Sequence, residues 1–390
     1  MYTNLQDALN YIENRRVRHT LAYFKNVLDS EHIDYSLPCI HVTGTNGKGG
    51  TINFISHILQ EAGYKVGTFT SPYIVCHQDR FMINGKMMDD DLLLTYINNN
   101  LAIIEKHNLA MFEIDFIIML QYFKAMKVDL ALIEVGIGAR NDKTNMVMPL
   151  ASVITNVGKD HLAQIGPTLL DVAYEKAGII KEGVPAFTSM MADDIMEVLH
   201  AEATLKHAPL HVVKETNLVY ELQLEGLYHQ KNACLAIEVI RKVFPHISEE
   251  NIKTGLKKAT WPGRFERFEI NQATYYLDGA HNLHAFESLM PTVASMNFIQ
   301  QPIFIYAALQ DKDYKEMAQM ILDEGYQLEV CKFSDGRALS EKEISEMKAS
   351  KVYESIDDVL KQNQNANQLY IVCGSLHFIS QFRNKIIQKK

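Results

Sequence analysis

Short runs of consecutive apolar residues alternate along the chain with segments whose apolar residues recur at helical spacing. The runs at 39–42, 130–134 and 151–155 predict buried strands, and the segments between them, such as 49–60, predict helices. Strands that are apolar on both faces and alternate with helices are typical of a mostly parallel sheet covered by helices on both sides. The first part of the chain is therefore predicted to be an α/β domain.

The first of these strands leads into a polar, glycine-containing loop, TGTNGK at 43–48, and a predicted helix follows the loop. Glycines let backbone N–H groups approach phosphate oxygens, the N terminus of the helix favours anions, and Lys48 adds a positive charge. The standard spacing G-x-x-x-x-G-K-[ST] is not fully met, because Val42 and Gly49 stand where glycine and a hydroxyl residue are expected. The segment therefore predicts a variant phosphate loop without the usual magnesium-binding hydroxyl.

The pattern is interrupted at 261–263, where the only tryptophan is followed by a Pro-Gly pair, and then strands and helices alternate again to the end of the chain. Such an interruption is typical of a domain junction. A chain of 390 residues also exceeds the length that one hydrophobic core usually serves. We predict an N-terminal P-loop domain over 1–260, with a mostly parallel sheet flanked by helices, and a smaller Rossmann-like α/β domain over 264–390.

The net charge of −9 argues against a nucleic-acid-binding protein, which would normally present a basic surface. The five cysteines are far apart and form no C-x-x-C pair, which predicts free thiols in a reducing compartment. No apolar run approaches the length of a membrane span, and the N-terminal segment has no signal-peptide core. We therefore expect a cytoplasmic protein without a membrane or nucleic-acid partner, and we expect a monomer.

Polar side chains follow several of the predicted strands. Ser71 follows the second strand, Glu134 ends the next one, and Asp160 and His161 come after the strand at 151–155. In open α/β sheets the carboxyl ends of the strands form the edge at which ligands bind. A serine oxygen, a carboxylate and an imidazole could hold a Mg²⁺ ion that bridges nucleotide phosphates, and the alternative is that Glu134 and His161 only cap strands.

Other charged residues stand in segments where their role is open. Glu113 lies in a largely apolar predicted helix, so it is either paired with a cation or a functional residue. Lys176 ends another such helix, where a buried lysine would have a lowered pKa and could form a carbamate with carbon dioxide. The plainer alternative is a solvated or ion-paired lysine. Arg80 and Arg140 could attract an anionic substrate or could be ordinary surface residues.

In the second domain, the segment LDGAHNLHA at 277–285 places an aspartate at the end of a predicted strand and a histidine before a predicted helix. Arg264 stands at the domain junction. Asp278, His281 and Arg264 could together close over a nucleotide.

Taken in order, the motifs of the chain resemble those of the bacterial folylpolyglutamate synthase/dihydrofolate synthase enzymes, which are Mur-type ATP-dependent amide ligases. The resemblance runs over most of the chain and rests on HVTGTNGKGG (41–50), TSP (70–72), DRFMING (79–85), EVGIGARNDKTN (134–145), ITNVGKDH (154–161), EKAGIIK (175–181), HQKNACLA (229–236), WPGRFE (261–266), LDGAHN (277–282) and ALQDKDY (308–314). Among the departures from the family pattern, Gly50 replaces the usual serine of the loop and is followed by Thr51, and Tyr73 replaces the usual histidine. These departures concern phosphate and substrate contacts and leave every expected metal ligand in place.

The resemblance implies a two-step reaction and a set of site residues. ATP would phosphorylate a carboxylate of a folate or dihydropteroate, and the amino group of L-glutamate would attack the resulting acyl phosphate to form an amide. The expected cofactors are ATP and Mg²⁺, the latter at two sites. The residues expected to bind ATP are Gly44, Thr45, Asn46, Gly47, Lys48, Gly49, Gly50, Thr51, Asn232, Arg264, Asp278 and His281. The expected metal ligands are Ser71, Glu134, His161 and, when carbamylated, Lys176; the expected catalytic residues are Lys48, His161 and Lys176; the expected substrate contacts are Arg80, Glu113 and Arg140.

Two alternatives stay open at this stage. A Mur-type ligase could join a different carboxylic acid and amine, or a nucleotide-binding paralogue could bind ATP without ligating anything. The presence of Glu134, His161 and Lys176 argues against the paralogue, because a non-catalytic protein has no need of the whole set.

Overall fold

The computed structural model of the chain describes residues 1–160, 162–214, 218–363 and 367–388. The chain divides into two units, each with its own sheet. The first comprises Met1–Glu221 and Lys231–Ala259, and the second comprises Leu222–Gln230 and Thr260–Lys390. The second unit thus includes a segment, Leu222–Gln230, that falls within the predicted first domain. Within the described residues, no helix is both long and apolar enough to cross a membrane.

The first unit is built on an eight-stranded, mostly parallel sheet, which confirms the predicted α/β class. Its strands are β1 (Cys39–Thr43), β2 (Val66–Phe69), β3 (Phe81–Ile83), β4 (Lys86–Met87), β5 (Leu130–Glu134), β6 (Ala151–Ile154), β7 (Ala186–Ser189) and β8 (Leu210–Val213). They lie in the order β4-β3-β2-β5-β1-β6-β7-β8, and only the pairings of β3 with β2 and with β4 are antiparallel.

The helices of this unit are α1 (Leu5–Glu13), α2 (Leu21–Ser30), α3 (Lys48–Glu61), α4 (Asp90–Lys106), α5 (Met111–Ala125), α6 (Leu162–Ile165), α7 (Leu169–Ala177), α8 (Asp193–Leu205), α9 (Leu227–Val243) and α10 (Glu249–Lys258). Helix α9 begins in the second unit and continues into the first. Short 3-10 helices occur at His77–Arg80 and Lys143–Met146.

The register of the central strands brings their carboxyl ends to one edge of the sheet. β1 pairs with β5 so that Val42 lies opposite Glu134, and β2 pairs with β5 so that Phe69 lies opposite Ile133. Side chains that follow these strands are therefore neighbours, as the sequence pattern predicted. Helix α3, which follows β1, packs closely against α10. Glycine at position 255 permits this approach, since a Cβ atom there would lie only 2.6 Å from Ile58 Cα.

The second unit contains a six-stranded sheet whose strands are β9 (Arg264–Ile270), β10 (Ala273–Asp278), β11 (Ile303–Tyr306), β12 (Gln327–Cys331), β13 (Lys351–Tyr353) and β14 (Leu369–Cys373). The strand order is β13-β12-β11-β14-β10-β9, and β9 alone is antiparallel to its neighbour. The helices are α11 (Leu283–Ala294), α12 (Tyr314–Asp323), α13 (Glu341–Ser345), α14 (Ile356–Gln362) and α15 (Leu376–Gln388).

Alternate residues of this second sheet enter two different cores. Phe304 and Ile371 pack in one hydrophobic cluster, whereas their chain neighbours Ile305 and Tyr370 pack in another. Both faces are therefore covered, which explains why β11 and β14 are apolar at every position instead of at every second one.

Four strands, β3, β4, β9 and β13, were not predicted from the sequence. β9 (RFERFEI) intersperses charged and apolar residues at the edge of its sheet, so it does not form a continuous apolar run. It is joined to β10 by Asn271 and Gln272, both of which have positive φ, without the glycine that usually marks such a hairpin turn. β3, β4 and β13 have only two or three residues each, and β4 and β13 lie at the edges of their sheets.

Candidate active site

The loop between β1 and α3 has a backbone shape that requires glycine at two positions. Gly47 caps α3 with φ of +81°, in the left-handed region. A Cβ atom on Gly44 would lie 1.8 Å from Thr155 Oγ1, so the loop backbone passes directly against the end of β6. The loop thus lies at the N terminus of a 14-residue helix, where anions bind favourably.

Hydrogen bonds tie this loop to the segment that follows β6. The Asn46 N–H donates to Asn156 Oδ1 at 2.9 Å, and Asn156 Nδ2 donates back to the Asn46 carbonyl at 3.0 Å. Thr45 Oγ1 donates to the Gly158 carbonyl and accepts from the Gly158 N–H, both at 2.9 Å. These bonds fix the position of the loop against residues 156–158. The sequence pattern did not single out Asn156, although it stands in the ITNVGKDH motif.

Lys48 folds back over the loop to which it belongs. Its Nζ donates to the carbonyls of Gly44 at 3.0 Å and Thr45 at 3.4 Å, and it lies 3.6 Å from Glu134 Oε1. The lysine and the carboxylate that sequence analysis placed at two different strand ends are therefore in contact.

Glu134 and Ser71 meet at the same edge of the sheet. The Ser71 N–H donates to Glu134 Oε2 at 3.1 Å, and Glu134 is 4% exposed. A carboxylate and a serine hydroxyl are hard oxygen donors of the kind that Mg²⁺ takes, so these residues fit the implied metal. His161, the third expected ligand, lies outside the described residues. The residues that are described contain no cluster of three His, Cys, Asp or Glu side chains that could hold a metal.

Lys176, at the end of α7, is buried, so the alternative of a solvated lysine is wrong. Burial, followed by the positive charge of Lys48, lowers the pKa of Lys176 to about 7, although Asp160 and Glu175 act in the opposite direction. The influence of Lys48 connects Lys176 electrostatically with the phosphate loop. Because its pKa lies about 3 units below that of an exposed lysine, a large fraction of Lys176 carries a neutral, nucleophilic amine at pH 7 to 8.

Asn232 of α9 explains the glycine that departs from the family pattern. A Cβ atom on Gly50 would lie 2.9 Å from Asn232 Nδ2, and one on Gly47 would lie 2.5 Å from Asn232 Oδ1. Asn232 therefore packs directly against the first turn of α3. Thr51 is fully buried and its Oγ1 has no hydrogen-bond partner, so this hydroxyl is not accessible to a ligand in place of the serine that the family has at position 50.

We expect Gly50→Ser to raise the KM for ATP by roughly tenfold, because the added Cβ displaces the nearly buried Asn232 from the loop. The measurement is steady-state kinetics with ATP varied, beside a melting curve. Gly336→Ser is the matched control, since a Cβ there meets nothing within 4 Å. A KM for ATP equal to or below that of the wild type would contradict the packing interpretation.

Glu113 is buried at the start of α5, and one of its carboxylate oxygens has two polar partners. Its Oε2 accepts the Ala110 N–H at 2.9 Å and lies 2.9 Å from His19 Nδ1. This arrangement matches the alternative in which Glu113 is paired with a cation when His19 is protonated. Its other oxygen, Oε1, is buried without a hydrogen-bond partner.

The two arginines expected to contact substrate lie in different surroundings. Arg140 Nη2 donates to Glu202 Oε2 at 2.7 Å, and its guanidinium carbon lies 3.9 Å from the centre of the Tyr174 ring. The structure thus gives Arg140 structural partners apart from the cluster of Lys48 and Glu134. Arg80 is buried, with its Nε 3.7 Å from Asp115 Oδ2.

In the second unit, Arg264, Asp278 and His281 come together around one short turn. A Cβ atom on Gly279 would lie 2.9 Å from Arg264 Nη1, and His281 Nδ1 donates to the Gly279 carbonyl at 2.7 Å. Asp278 Oδ2 accepts from the Phe265 N–H at 3.0 Å and from the Tyr228 hydroxyl.

Burial raises the pKa of Asp278, while its hydrogen bonds oppose that shift. The sequence did not identify Tyr228, which stands one residue before the HQKN motif.

Comparison with known proteins finds two family profiles that match the chain. The family profile of the Mur ligase middle domain matches residues 42–208, and that of the Mur ligase glutamate ligase domain matches residues 263–376. The dihydrofolate synthase/folylpolyglutamate synthase of Bacillus subtilis (strain 168) is 33% identical over 99% of this chain and 100% of its own length.

Solved structures give the same result. E. coli FolC in complex with DHPP and ADP has a TM-score of 0.88 and 25% identity, over 99% of this chain and 98% of that one. A bifunctional folylpolyglutamate synthase/dihydrofolate synthase with Mn, AMPPNP and L-glutamate bound has a TM-score of 0.86 and 25% identity, over the same shares. With motifs, fold and full-length similarity in agreement, this chain belongs to the dihydrofolate synthase/folylpolyglutamate synthase family of Mur-type ligases.

Proposed function

We propose that this protein joins L-glutamate to the carboxylate of a folate-type acceptor, with ATP as the source of energy and an acyl phosphate as the intermediate. The observation that carries the proposal is the convergence of Lys48, Glu134 and Ser71 at one edge of the sheet, beside a glycine loop at a helix N terminus. The family supplies the reaction class, and the relatives whose structures contain ADP, an ATP analogue or glutamate support the substrates.

In the first step, an oxygen of the acceptor carboxylate attacks the γ-phosphorus of ATP, ADP leaves, and an acyl phosphate forms. The backbone amides of the loop and the N terminus of α3 hold the phosphates. The Lys48 ammonium, held over the loop by Gly44 and Thr45, neutralises charge on the transferred phosphoryl group.

In the second step, the unprotonated amine of glutamate attacks the acyl carbon. The tetrahedral intermediate collapses, phosphate leaves with one oxygen of the former carboxylate, and the nitrogen loses a proton to give the amide. Positioning of the reactants and stabilisation of charge supply most of the acceleration in such a reaction.

Ser71 and Glu134 are the described residues that would hold Mg²⁺, with His161 as the third proposed ligand. When bound there, the metal would offset the negative charge of the nucleotide phosphates. The relative with bound Mn supports a divalent metal in this family.

The proposal extends to a second metal positioned by a carbamate on Lys176. The neutral amine of Lys176 attacks carbon dioxide, a nitrogen–carbon bond forms, and one proton is released, which leaves an anionic carboxylate on the side chain. The burial of Lys176 and its lowered pKa support this step. The protonated lysine would carry no donor for a cation, and Mg²⁺ prefers the oxygens of a carbamate to an amine nitrogen.

The experiment is an ADP-release assay with Mg-ATP and L-glutamate, in which the acceptor is dihydropteroate or a reduced folate. We expect glutamate-dependent ADP release with at least one of these two acceptors. Release with a different carboxylic acid, and with neither pteridine, would instead favour a Mur-type ligase of other specificity. No release with any acid would favour a nucleotide-binding paralogue.

A further inference from the structure

A second group of charged side chains lies in the first unit beside the segment that carries Ser71. We call it the His77 cluster; its members are Glu13, Tyr73, His77, Arg80 and Asp115. Glu13 ends α1 and Asp115 belongs to α5, whereas the other three belong to the segment between β2 and β3. His77, Arg80 and Asp115 are at most 5% exposed.

His77 bridges the two helices with its two ring nitrogens. Nδ1 lies 2.9 Å from Glu13 Oε1, and Nε2 lies 2.9 Å from Asp115 Oδ1. A histidine can donate from both nitrogens only as the imidazolium. Burial by itself would lower the pKa of His77, but the charge and hydrogen bond of Asp115 and the hydrogen bond of Glu13 outweigh burial and raise it to about 9.

Arg80 and Tyr73 complete the cluster. Arg80 Nε lies 3.7 Å from Asp115 Oδ2, and the guanidinium carbon lies 5.3 Å from the centre of the Tyr73 ring. The Tyr73 hydroxyl donates to Glu13 Oε1 at 3.4 Å. His77 and Arg80 therefore face the carboxylates of Glu13 and Asp115, and the charge of Arg80 also acts on the buried Asp79.

The segment from 70 to 80 is closed on itself and connects the cluster with the proposed metal site. The Thr70 N–H donates to the Arg80 carbonyl at 3.2 Å, which joins the two ends of the segment. Asp79 Oδ2 accepts the N–H groups of Ile74 and Val75, each at 2.8 Å. Ser71 directly follows Thr70, and its own N–H donates to Glu134. A shift of the closed segment would therefore move Ser71.

We propose that His77 is a positioning residue that ties the 70–80 segment to α1 and α5 and thereby holds Ser71 and Tyr73 in place for the metal and the acceptor. This role rests on the proposed function, because it acts through Ser71. His77 touches none of the residues of the phosphate loop in the described contacts, so its effect on the reaction is indirect.

The test compares His77→Phe with His107→Phe. Both histidines contact a glutamate. His107 directly follows α4, and its Nε2 lies 2.7 Å from Oε1 of Glu31, which directly follows α2. We expect His77→Phe to raise the half-saturating Mg²⁺ concentration or the acceptor KM by roughly tenfold, as loss of a residue that orients a ligand does. The KM for glutamate should stay unchanged, and His107→Phe should leave all three values unchanged.

Hydrogen exchange gives a reading that does not depend on activity. In His77→Phe, the amides of Ile74 and Val75 should exchange at least tenfold faster than in the wild type, while those of β1 and β5 should keep their protection. If His77→Phe does not fold, His77→Gln and Asp115→Asn, which preserve shape and remove charge, take its place in both measurements.

Unchanged Mg²⁺ dependence, acceptor KM and exchange in a folded variant would overturn the positioning role. A lowered melting temperature with unchanged kinetic constants would do the same, since it would show a purely structural ion cluster. A wild-type protein without ligase activity would refute the proposed function, and the exchange experiment would then still decide whether His77 holds the segment.

Discussion

Lys48→Ala should lower kcat by roughly a hundredfold to a thousandfold, the effect typical of removing one group that stabilises transition-state charge. Lys48 is the cation that the structure holds over the phosphate loop, 3.6 Å from Glu134. Its removal takes away a positive charge that the loop amides do not replace. The measurement is glutamate-dependent ADP release at saturating ATP.

Lys25→Ala is the control for this substitution, because Lys25 is exposed and forms an ion pair with Asp29 on the same helix. Circular dichroism should show both variants folded. If Lys48→Ala kept more than a third of the wild-type kcat, the loop would not be the phosphate site.

Lys176→Ala should reduce activity by at least roughly a hundredfold with the fold intact, because the carbamate and the metal that it positions would both be lost. In the folded protein the pKa of Lys176 is about 7, below its ordinary value of 10.5. The neutral amine therefore becomes available as pH rises through about 7, whereas an exposed lysine would stay protonated beyond pH 10. Formation of the carbamate should therefore increase as pH rises through about 7.

The direct observation is a carbamate signal in the carbon-13 NMR spectrum after incubation with labelled bicarbonate. It should be present in the wild type, absent in Lys176→Ala, and unaffected in Lys181→Ala. Lys181 is the matched control, since burial also lowers its pKa, to about 8, but its Nζ donates to the Asn145 carbonyl. Full activity in Lys176→Ala would refute the carbamate, and added bicarbonate should not rescue that variant.

The hydrophobic pattern was sufficient for central parallel strands such as β1, β5 and β6, because strands buried on both faces are largely apolar. It was insufficient for β9, an edge strand in which charged residues separate Phe265 and Phe268, although these two side chains pack in different hydrophobic clusters. The end of a predicted strand also located Glu134 and Ser71 correctly, since parallel register brings such ends together without any knowledge of side-chain contacts.

Contacts between residues far apart in the sequence were beyond the reach of the pattern. Lys176 lies near the end of α7 directly after Glu175, and only packing decides that its side chain is buried. Asn232 and Gly50 are in contact although more than half of the first unit's sequence separates them. From the sequence alone, the absence of serine at position 50 therefore looked like a lost function, whereas the structure shows close packing there. The pairing of His77 with Asp115 likewise joins two segments with no local signal.

The central claim is that the protein activates an acceptor carboxylate as an acyl phosphate and transfers it to glutamate. The most direct measurement is mass spectrometry of the products formed from ATP, L-glutamate and an acceptor labelled with oxygen-18 in its carboxylate. The account predicts an acceptor heavier by one glutamyl residue and released phosphate that carries one labelled oxygen. Phosphate without label, or ADP released without a glutamylated product, would contradict it.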